Sequence, residues 1–574
     1  MLKEKKLVLV ALNAKYVHTS LAVRALRAAC KDTRWQVEII ERSIGDPLDA
    51  VAEQIVRAGA QIVGFSCTIW NVTLVARLCA LLRAAGCSAF FLLGGPEVSF
   101  EGDAVFTRIP EADAVICGEG EAALRALLQS YPALPREIPG LCLPGWSNVR
   151  PTQVDELDQL PFPYEGGEGI EPGRILYYEA SRGCPFHCGY CLSGETQLRQ
   201  LPLPRVKAEL RTLMAAGVRQ VKFVDRTFNA DPARARELFG YLMALDRELE
   251  GSTNFHFEIG GQLLDEETLD LLEEARKGLF QFEIGVQSTD RAALDAVGRK
   301  DDFQKITRAV QRLRRAGRIH LHLDLIAGLP GEGYARFAAS FNDVYALTPD
   351  MLQLGFLKLL RGSRLRREEK LHGYAYDPYP PYEITASRDI TYLELRRLKA
   401  AEEALERYYN AHLCDRTLRY LISVLEGDAF RLFQGLGEYA GEIGLPWQGR
   451  TPLQRMEILY AYAKAHIPGV DLAALSELLR FDLLEKEKRR GLPLALAPLD
   501  TPETRKKIRA LYGGAVHSIY PAAGEMEPYA LRRATHIEPF RLDIAAFEAV
   551  GALQWRACYW LFRYDGAAPV ELPG

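Results

Sequence analysis

Gly183-Cys-Pro-Phe-His-Cys-Gly-Tyr-Cys191 decides how the middle of this chain is read. It places Cys184, Cys188 and Cys191 in C-x3-C-x2-C spacing directly after an apolar run, residues 175–180, that reads as a strand. The same texture continues downstream: residues 220–224, 254–259, 280–286, 320–326 and 351–356 are short apolar runs separated by helical patterns. This series of strand-helix units predicts a partial (β/α)6 barrel of the TIM type, whose functional end lies at the carboxyl ends of its strands. The cysteine loop falls at such an end.

Three thiolates on one loop suit three irons of a 4Fe-4S cube and leave the fourth iron open to a substrate or cofactor. Soft thiolates also suit zinc, but a structural zinc site normally takes four protein ligands, and His187 is the candidate for the fourth. His187 stands between two of the cysteines in a tight loop, with little room to turn back on the same metal, and reads as a substrate-facing or packing residue.

With the aromatic Tyr190 before its last cysteine, the loop resembles the signature of the radical SAM superfamily, and the resemblance covers about residues 175–361. It implies that the open iron chelates the amino and carboxylate groups of S-adenosylmethionine (SAM), and that an electron from the cluster cleaves SAM to a 5′-deoxyadenosyl radical. Tyr190 becomes a cofactor-side residue. Glu283-Ile-Gly-Val-Gln-Ser288 is similar to the fourth-strand motif that handles the ribose and amino end of SAM, which singles out Glu283 and Gln287. Arg299 lies where a basic residue meets the SAM carboxylate, and Leu325-Ile-Ala-Gly-Leu-Pro-Gly-Glu332 looks like the fifth-strand segment lining the adenine. Val224-Asp-Arg-Thr-Phe-Asn229 ends the second strand where relatives carry paired acids; Asp225 keeps the first, and Arg226 replaces the second. The alternative for Asp225 and Glu283 is a salt-bridged place in the barrel rim, because fold-level likeness is weak warrant for single residues.

The first 150 residues alternate compact apolar runs (7–12, 62–66, 90–93, 114–117) with helical spacing (21–30, 47–57, 72–85, 121–128). That alternation predicts a doubly wound, Rossmann-like parallel sheet covered on both faces, with a ligand at its switch point. Small residues follow successive strands in Gly64-Phe-Ser-Cys-Thr-Ile-Trp70, Leu93-Gly-Gly-Pro-Glu97 and Cys117-Gly-Glu-Gly-Glu121. They let backbone amides approach a nucleotide tail. No G-x-G-x-x-G follows the first strand and no Walker-type GK[ST] occurs, which disfavours dinucleotide and P-loop readings.

Together with the cysteine loop, these segments resemble the cobalamin-binding domain that precedes radical SAM domains in methylases and in the anaerobic magnesium-protoporphyrin ester cyclase group. The resemblance implies corrinoid contacts at Ser66, Thr68, Gly94, Gly95, Pro96, Glu97, Gly118, Glu119 and Gly120. The D-x-H-x-x-G motif that supplies a histidine to cobalt in other cobalamin proteins is absent. His18, the one histidine in the first 150 residues, follows Tyr16-Val17 and either contacts the corrin edge or caps the next helix.

Four segments are expected: a cobalamin-binding domain at 1–143, a linker rich in Pro, Gly and acidic residues at 144–173, a radical SAM domain at 174–372 and a family-specific, mainly helical domain at 373–574. The Tyr/Pro segment 374–382 either covers the barrel mouth or is a packed interdomain linker. Glu485-Lys-Glu-Lys-Arg-Arg490 mixes its signs and reads as a solvated helix face.

Lys plus Arg number 71 against 75 Asp plus Glu, a net charge of −4, which argues against nucleic acid as a partner. The amino-terminal apolar run stops at Asn13 and Lys15 without a cleavage site, and residues 75–93 are broken by Arg77 and Arg83, so no membrane insertion is expected. Eleven cysteines, eight of them scattered singly, suit reduced thiols in the cytoplasm.

The expected protein is an enzyme that holds a 4Fe-4S cluster, SAM and cobalamin and takes electrons from a donor such as flavodoxin or ferredoxin. The leading chemistry is C-methylation of an unactivated carbon in a small molecule or peptide, the radical abstracting hydrogen and methylcobalamin delivering the methyl group. Cyclisation, rearrangement or redox chemistry without net methylation is the first alternative, and a non-catalytic corrinoid carrier or sensor the second. The substrate is not readable from the sequence.

Overall fold

Residues Lys5–Asn13 (β1) are apolar without a break from Leu7 to Leu12 and buried from Leu7 onward, as a strand covered on both faces must be. In the computed structural model, which describes residues 5–146, 150–171, 173–444, 449–489, 491–496, 500–520, 523 and 526–573, β1 opens an alternating series. It continues through α1 (Leu21–Ala29), β2 (Trp35–Ser43), α2 (Leu48–Ala58), β3 (Ile62–Ser66), α3 (Val72–Ala84), β4 (Phe90–Gly94), α4 (Ala104–Arg108), β5 (Ala114–Ile116), α5 (Glu121–Ser130) and β6 (Leu141–Cys142). The strand order is β2-β1-β3-β4-β5-β6, which places the switch point between β1 and β3.

Alternate β1 residues enter two cores: Val8 and Val10 pack with Phe65, Phe91 and Leu93, whereas Leu7 and Leu9 pack with Trp35, Ile62 and Leu92. Two corrections follow. The strand β2 was absent from the sequence reading because Trp35-Gln-Val-Glu-Ile-Ile-Glu-Arg-Ser43 carries the charges of an edge strand and lacks a compact apolar run. The sheet is also not wholly parallel, since β6 runs antiparallel to β5.

The second series comprises β7 (Ile175–Tyr178), the short strands β8 (Ser181–Arg182) and β9 (Arg199–Gln200), α6 (Leu203–Ala215), β10 (Gln220–Phe223), α7 (Pro232–Glu248), β11 (Asn254–Ile259), α8 (Glu266–Glu273), β12 (Phe280–Gln287), α9 (Arg291–Ala296), α10 (Phe303–Ala316), β13 (His320–Ala327), α11 (Tyr334–Tyr345) and β14 (Met351–Phe356). The sheet order β7-β10-β11-β12-β13-β14 is that of an open, partial barrel. Phe223, Phe255, Phe257, Phe280 and Phe282 are fully buried on the helix-covered side of the strands. The alternate positions, Lys222, His256, Glu258, Glu283, His322 and Asp324, are polar. A closed TIM barrel fills its interior with branched apolar layers, so this charged inner wall marks an interior built to receive a ligand.

By packing, the chain divides into a unit of residues 1–340, 347–350 and 354–392 and a unit of 341–346, 351–353 and 393–574. Within the first unit, the segment expected as a linker is packed: Leu157 and Tyr164 are buried, and the Tyr164 hydroxyl donates to the Tyr177 carbonyl at 2.7 Å. Residues 147–149 and 172 of that segment lie outside the described residues. In segment 374–382, the Tyr374 hydroxyl donates to the Gly328 carbonyl at 3.0 Å and Tyr382 is fully buried.

The second unit has helices at Asp415–Val424, Ala429–Glu442, Pro452–His466 and Leu472–Lys486, then a three-stranded antiparallel sheet of Thr535–Leu542, Trp555–Arg563 and Val570–Leu572. Its central helix, Leu472–Lys486, buries even Arg480, which pairs with Glu477 at 3.0 Å and Glu538 at 3.1 Å. The charge run is partly paired, Glu485 to Arg416 at 2.8 Å, and Arg490 lies outside the described residues. Among the described residues, no helix is long and apolar enough to cross a membrane.

Candidate functional site

The cysteine loop is launched from a turn held by Asp225. That side chain is 2% exposed, and its carboxylate accepts from the Ser181 hydroxyl at 2.5 Å and the Ala180 backbone N–H at 3.0 Å. Burial pushes the Asp225 carboxyl up to about 7 despite these bonds. Asp225 therefore supports the loop through hydrogen bonds from Ser181 and Ala180. Gly183, at φ +85°, is required at the loop's start because a Cβ there would lie 2.1 Å from the Gln197 carbonyl oxygen.

All three loop thiols are free of disulfides; Cys184 and Cys188 are buried and Cys191 is half-buried. Burial pushes the Cys188 thiol up, while Arg299 and Tyr190 pull it down. Arg299 braces the loop against the barrel: it donates to the Tyr190 hydroxyl at 3.1 Å, to the Gly285 carbonyl at 2.5 Å and toward the Cys188 sulfur at 3.8 Å, and it pairs with Asp301. His187 is exposed and its ring nitrogen Nδ1 meets the Gly194 carbonyl at 2.5 Å, a contact within the loop itself.

Glu283 faces the barrel interior with His256 at 3.0 Å and Lys222 at 3.2 Å. Burial alone would raise its carboxyl, but His256, Lys222 and His322 outweigh it and hold the pKa at about 2. A carboxyl depressed from the ordinary 4.5 adds stability above that value and loses it as pH falls toward 2. Replacing Glu283 with Gln should therefore flatten the acid limb of the unfolding free energy between those pH values. An unchanged limb would show that the ion cluster does not contribute.

Gln287 sits at the β12 bulge with φ +69°, an uncommon conformation for a non-glycine residue. Its Oε1 is buried with no hydrogen-bond partner among the described residues, and its amide fills the space over Gly285. Strain combined with an unused acceptor fits a residue that awaits a ligand.

At the first sheet, a cavity of about 530 Å³ borders Ser66, Gly94, Gly95, Pro96, Gly118, Glu119 and Gly120 on one side and the cysteine-loop segment with Arg182, Gly183 and Ser193 on the other. The Thr68 hydroxyl is buried without a partner among the described residues, and a Cβ on Gly94 would meet nothing closer than 3.9 Å. The open space over Gly94, which lines the cavity, fits a ligand at these strand ends; Thr68 lies outside the cavity lining. Gly95 and Gly118 have a different reason to be glycine. At φ +118°, a Cβ on Gly95 would lie 2.4 Å from the Cys67 carbonyl oxygen, and at φ +90° one on Gly118 would lie 2.3 Å from the Thr152 backbone.

The two glutamates expected at the corrinoid are already paired with protein groups. The Glu119 carboxylate takes Arg182 at 3.1 Å, Arg199 at 2.6 Å and the Val154 N–H at 2.7 Å, which hold it below the usual carboxylate range against burial. Arg182 also pairs with Glu121 at 2.6 Å and Glu179 at 2.8 Å. Buried Glu97 accepts from the Tyr382 hydroxyl at 2.7 Å, with Arg361 at 3.8 Å. These carboxylates lock the first sheet to the barrel. Arg182, one residue before the motif's glycine, carries no local signal of this role, because Glu119 and Glu121 lie some sixty residues upstream.

His18 does not cap α1, whose N-cap is Ser20 without a side-chain bond. Its Nδ1 instead meets the Tyr177 hydroxyl at 2.8 Å, and burial together with Lys15, Lys222 and Arg174 lowers its pKa.

Comparison with known proteins gives three matches along the chain: the B12 binding domain over residues 7–128, the radical SAM superfamily over 178–344 and a protein family of unknown function, DUF4080, over 370–562. The chain joins a B12-binding domain to a radical SAM domain. It is 26% identical to the cobalamin-dependent radical SAM methyltransferase TokK of Streptomyces tokunonensis over 58% of this chain and 52% of that protein. It is 23% identical to the uncharacterized methyltransferase PH0819 of Pyrococcus horikoshii over 55% and 70%. The chain thus spans about half the length of TokK. The solved structure of OxsB with aqua-cobalamin superposes with a TM-score of 0.61 at 14% identity, covering 89% of this chain and 85% of that one. TsrM of Kitasatospora setae, with cobalamin and a 4Fe-4S cluster, gives 0.55 at 18%, covering 66% and 78%. Both show the shared fold.

The two domains imply a 4Fe-4S cluster, SAM and cobalamin. The residues present fit: three undisulfided thiols on one loop suit iron, and the cavity at the strand ends, with open space over Gly94, suits a corrinoid. Among the described residues no three metal-binding side chains stand in closed ligating geometry.

Proposed function

We propose that this chain is a cobalamin-dependent radical SAM methyltransferase that acts on an unactivated carbon of a small-molecule or peptide substrate in the cytoplasm, with electrons from a flavodoxin- or ferredoxin-like donor. The working divisions are 1–143, 174–372 and 373–574. One observation carries the reading: a single cavity has the strand ends of the B12-binding domain as one wall and the cysteine-loop segment as the other. When bound, the cluster and SAM supply a carbon-centred radical and the corrinoid a methyl group.

The chain's own residues then divide the work. Cys184, Cys188 and Cys191 hold the iron; Tyr190, Arg299, Gln287 and Glu283 border the SAM side. Ser66, Thr68, Gly94, Pro96 and Gly120 approach the corrinoid. Arg182 and Arg199, clamped on Glu119, keep the two walls in register and limit water entry, which protects a reactive intermediate.

Anaerobic enzyme given methyl-labelled SAM and an extract of small molecules and peptides should place the label on carbon in a discrete product. Label found only in SAM and its breakdown products would favour the non-methylating alternative. Because His18 is held by Tyr177, the Co(II) form should show no nitrogen splitting from a protein ligand in its electron paramagnetic resonance spectrum, and His18→Ala should leave that spectrum unchanged. Nitrogen splitting that disappears in His18→Ala would place this histidine on cobalt.

A further inference from the structure

We infer that Arg226 is the group in this cavity that docks an oxyanion of the substrate, a carboxylate or a phosphate; the inference rests on the cavity being the reaction chamber.

Six charged side chains border the cavity: Glu119, Glu121, Glu179, Arg182, Arg199 and Arg226. The first five neutralise one another. Arg182 pairs with Glu119, Glu121 and Glu179 at 2.6–3.1 Å, and Arg199 pairs with Glu119 at 2.6 Å. A guanidinium with its donors occupied has little left for a ligand. Arg226 alone of the six makes no ion pair with a described residue, and its side chain is exposed to the cavity.

Its backbone is fixed from both sides. Asp225 before it is locked to the Ala180–Ser181 turn, and the Thr227 hydroxyl after it donates to the Arg226 carbonyl at 2.8 Å. Asn229, 1% exposed, exchanges two hydrogen bonds with Gly260 at 2.8 and 2.9 Å. Arg226 thus stands on a rigid post at the carboxyl end of β10, where the barrel presents its functional groups.

Among the charges that act on Glu258 of β11, that of Arg226 is the largest. Glu258 also faces Lys222 from β10, Glu283 from β12 and Asp324 from β13, and burial holds its pKa near 7. A carboxyl only partly ionised at neutral pH competes weakly for a guanidinium. An incoming oxyanion can therefore take both arms of the Arg226 fork, and such a bidentate, charge-assisted contact orients as well as binds.

The test is arginine modification by phenylglyoxal, mapped by mass spectrometry on cluster-reconstituted protein with cobalamin, and repeated on protein without cofactors. Arg226 should react, Arg182 and Arg199 should be spared, and acetate or inorganic phosphate should slow modification of Arg226 several-fold. The more protective anion names the oxyanion. Failure of Arg226 to react, or reaction that neither anion slows, would overturn the assignment. So would protection of cofactor-free protein by SAM or cobalamin alone, which would give the residue to a cofactor. No step needs turnover, so failure of anion protection counts against this site and failure of methyl transfer counts against the proposed function, and the two results are read separately.

Discussion

Replacing Cys188 with alanine should eliminate both the visible absorbance of the reconstituted cluster and all 5′-deoxyadenosine formation. The loop provides three thiols and no fourth metal-binding side chain turned toward them, since the His187 ring is held at 2.5 Å on the Gly194 carbonyl. With three protein ligands there is no spare, and a cube held by two thiolates has a second open iron and falls apart under oxidation. Alanine removes only a sulfur from the loop. The turn before it stays fixed by Asp225, so the protein should keep its fold and its near-native circular dichroism. Cys184→Ala and Cys191→Ala should behave alike. A full 4Fe-4S signal in all three single variants would contradict the ligand assignment.

Gly94→Val should abolish cobalamin retention while some 5′-deoxyadenosine still forms. Gly94 ends β4 at the cavity wall, and an added Cβ meets no atom closer than 3.9 Å, so the substitution fills ligand space without straining the chain. Radical initiation requires the cluster and SAM, whereas methyl transfer also requires the corrinoid beside the substrate, so the two activities should separate. Gly95→Val is a different experiment. Its Cβ would press on the Cys67 carbonyl at 2.4 Å and its φ of +118° disfavours any side chain, so it should destabilise the sheet itself. Retention of cobalamin by folded Gly94→Val would move the corrinoid away from this strand end.

Two kinds of strand were legible in the sequence: Ile62–Ser66 begins and ends where its apolar run does, and Asn254–Ile259 shows strict alternation of apolar and polar residues. The edge strand Trp35–Ser43 was not, because its outward charges hide the alternation. The cysteine loop was legible because its chemistry lies within nine residues. Glu97 and Glu119 were legible only as polar residues after strands. What they do depends on Tyr382, Arg182 and Arg199, whose proximity is created by folding and leaves no local pattern. The same holds for the charged barrel interior, which arises from parallel register: Lys222 lies beside His256, and Glu283 lies between Glu258 and His322.

The most direct test of the account measures S-adenosylhomocysteine and 5′-deoxyadenosine together, with reconstituted protein, reductant, SAM and a methyl-accepting extract, in the presence and absence of cobalamin. Methylation through a radical consumes SAM in two ways, so both products should accumulate with cobalamin, and S-adenosylhomocysteine should fall to background without it. Turnover that yields 5′-deoxyadenosine but no S-adenosylhomocysteine, or the same yield of both with no cobalamin bound, would contradict the account.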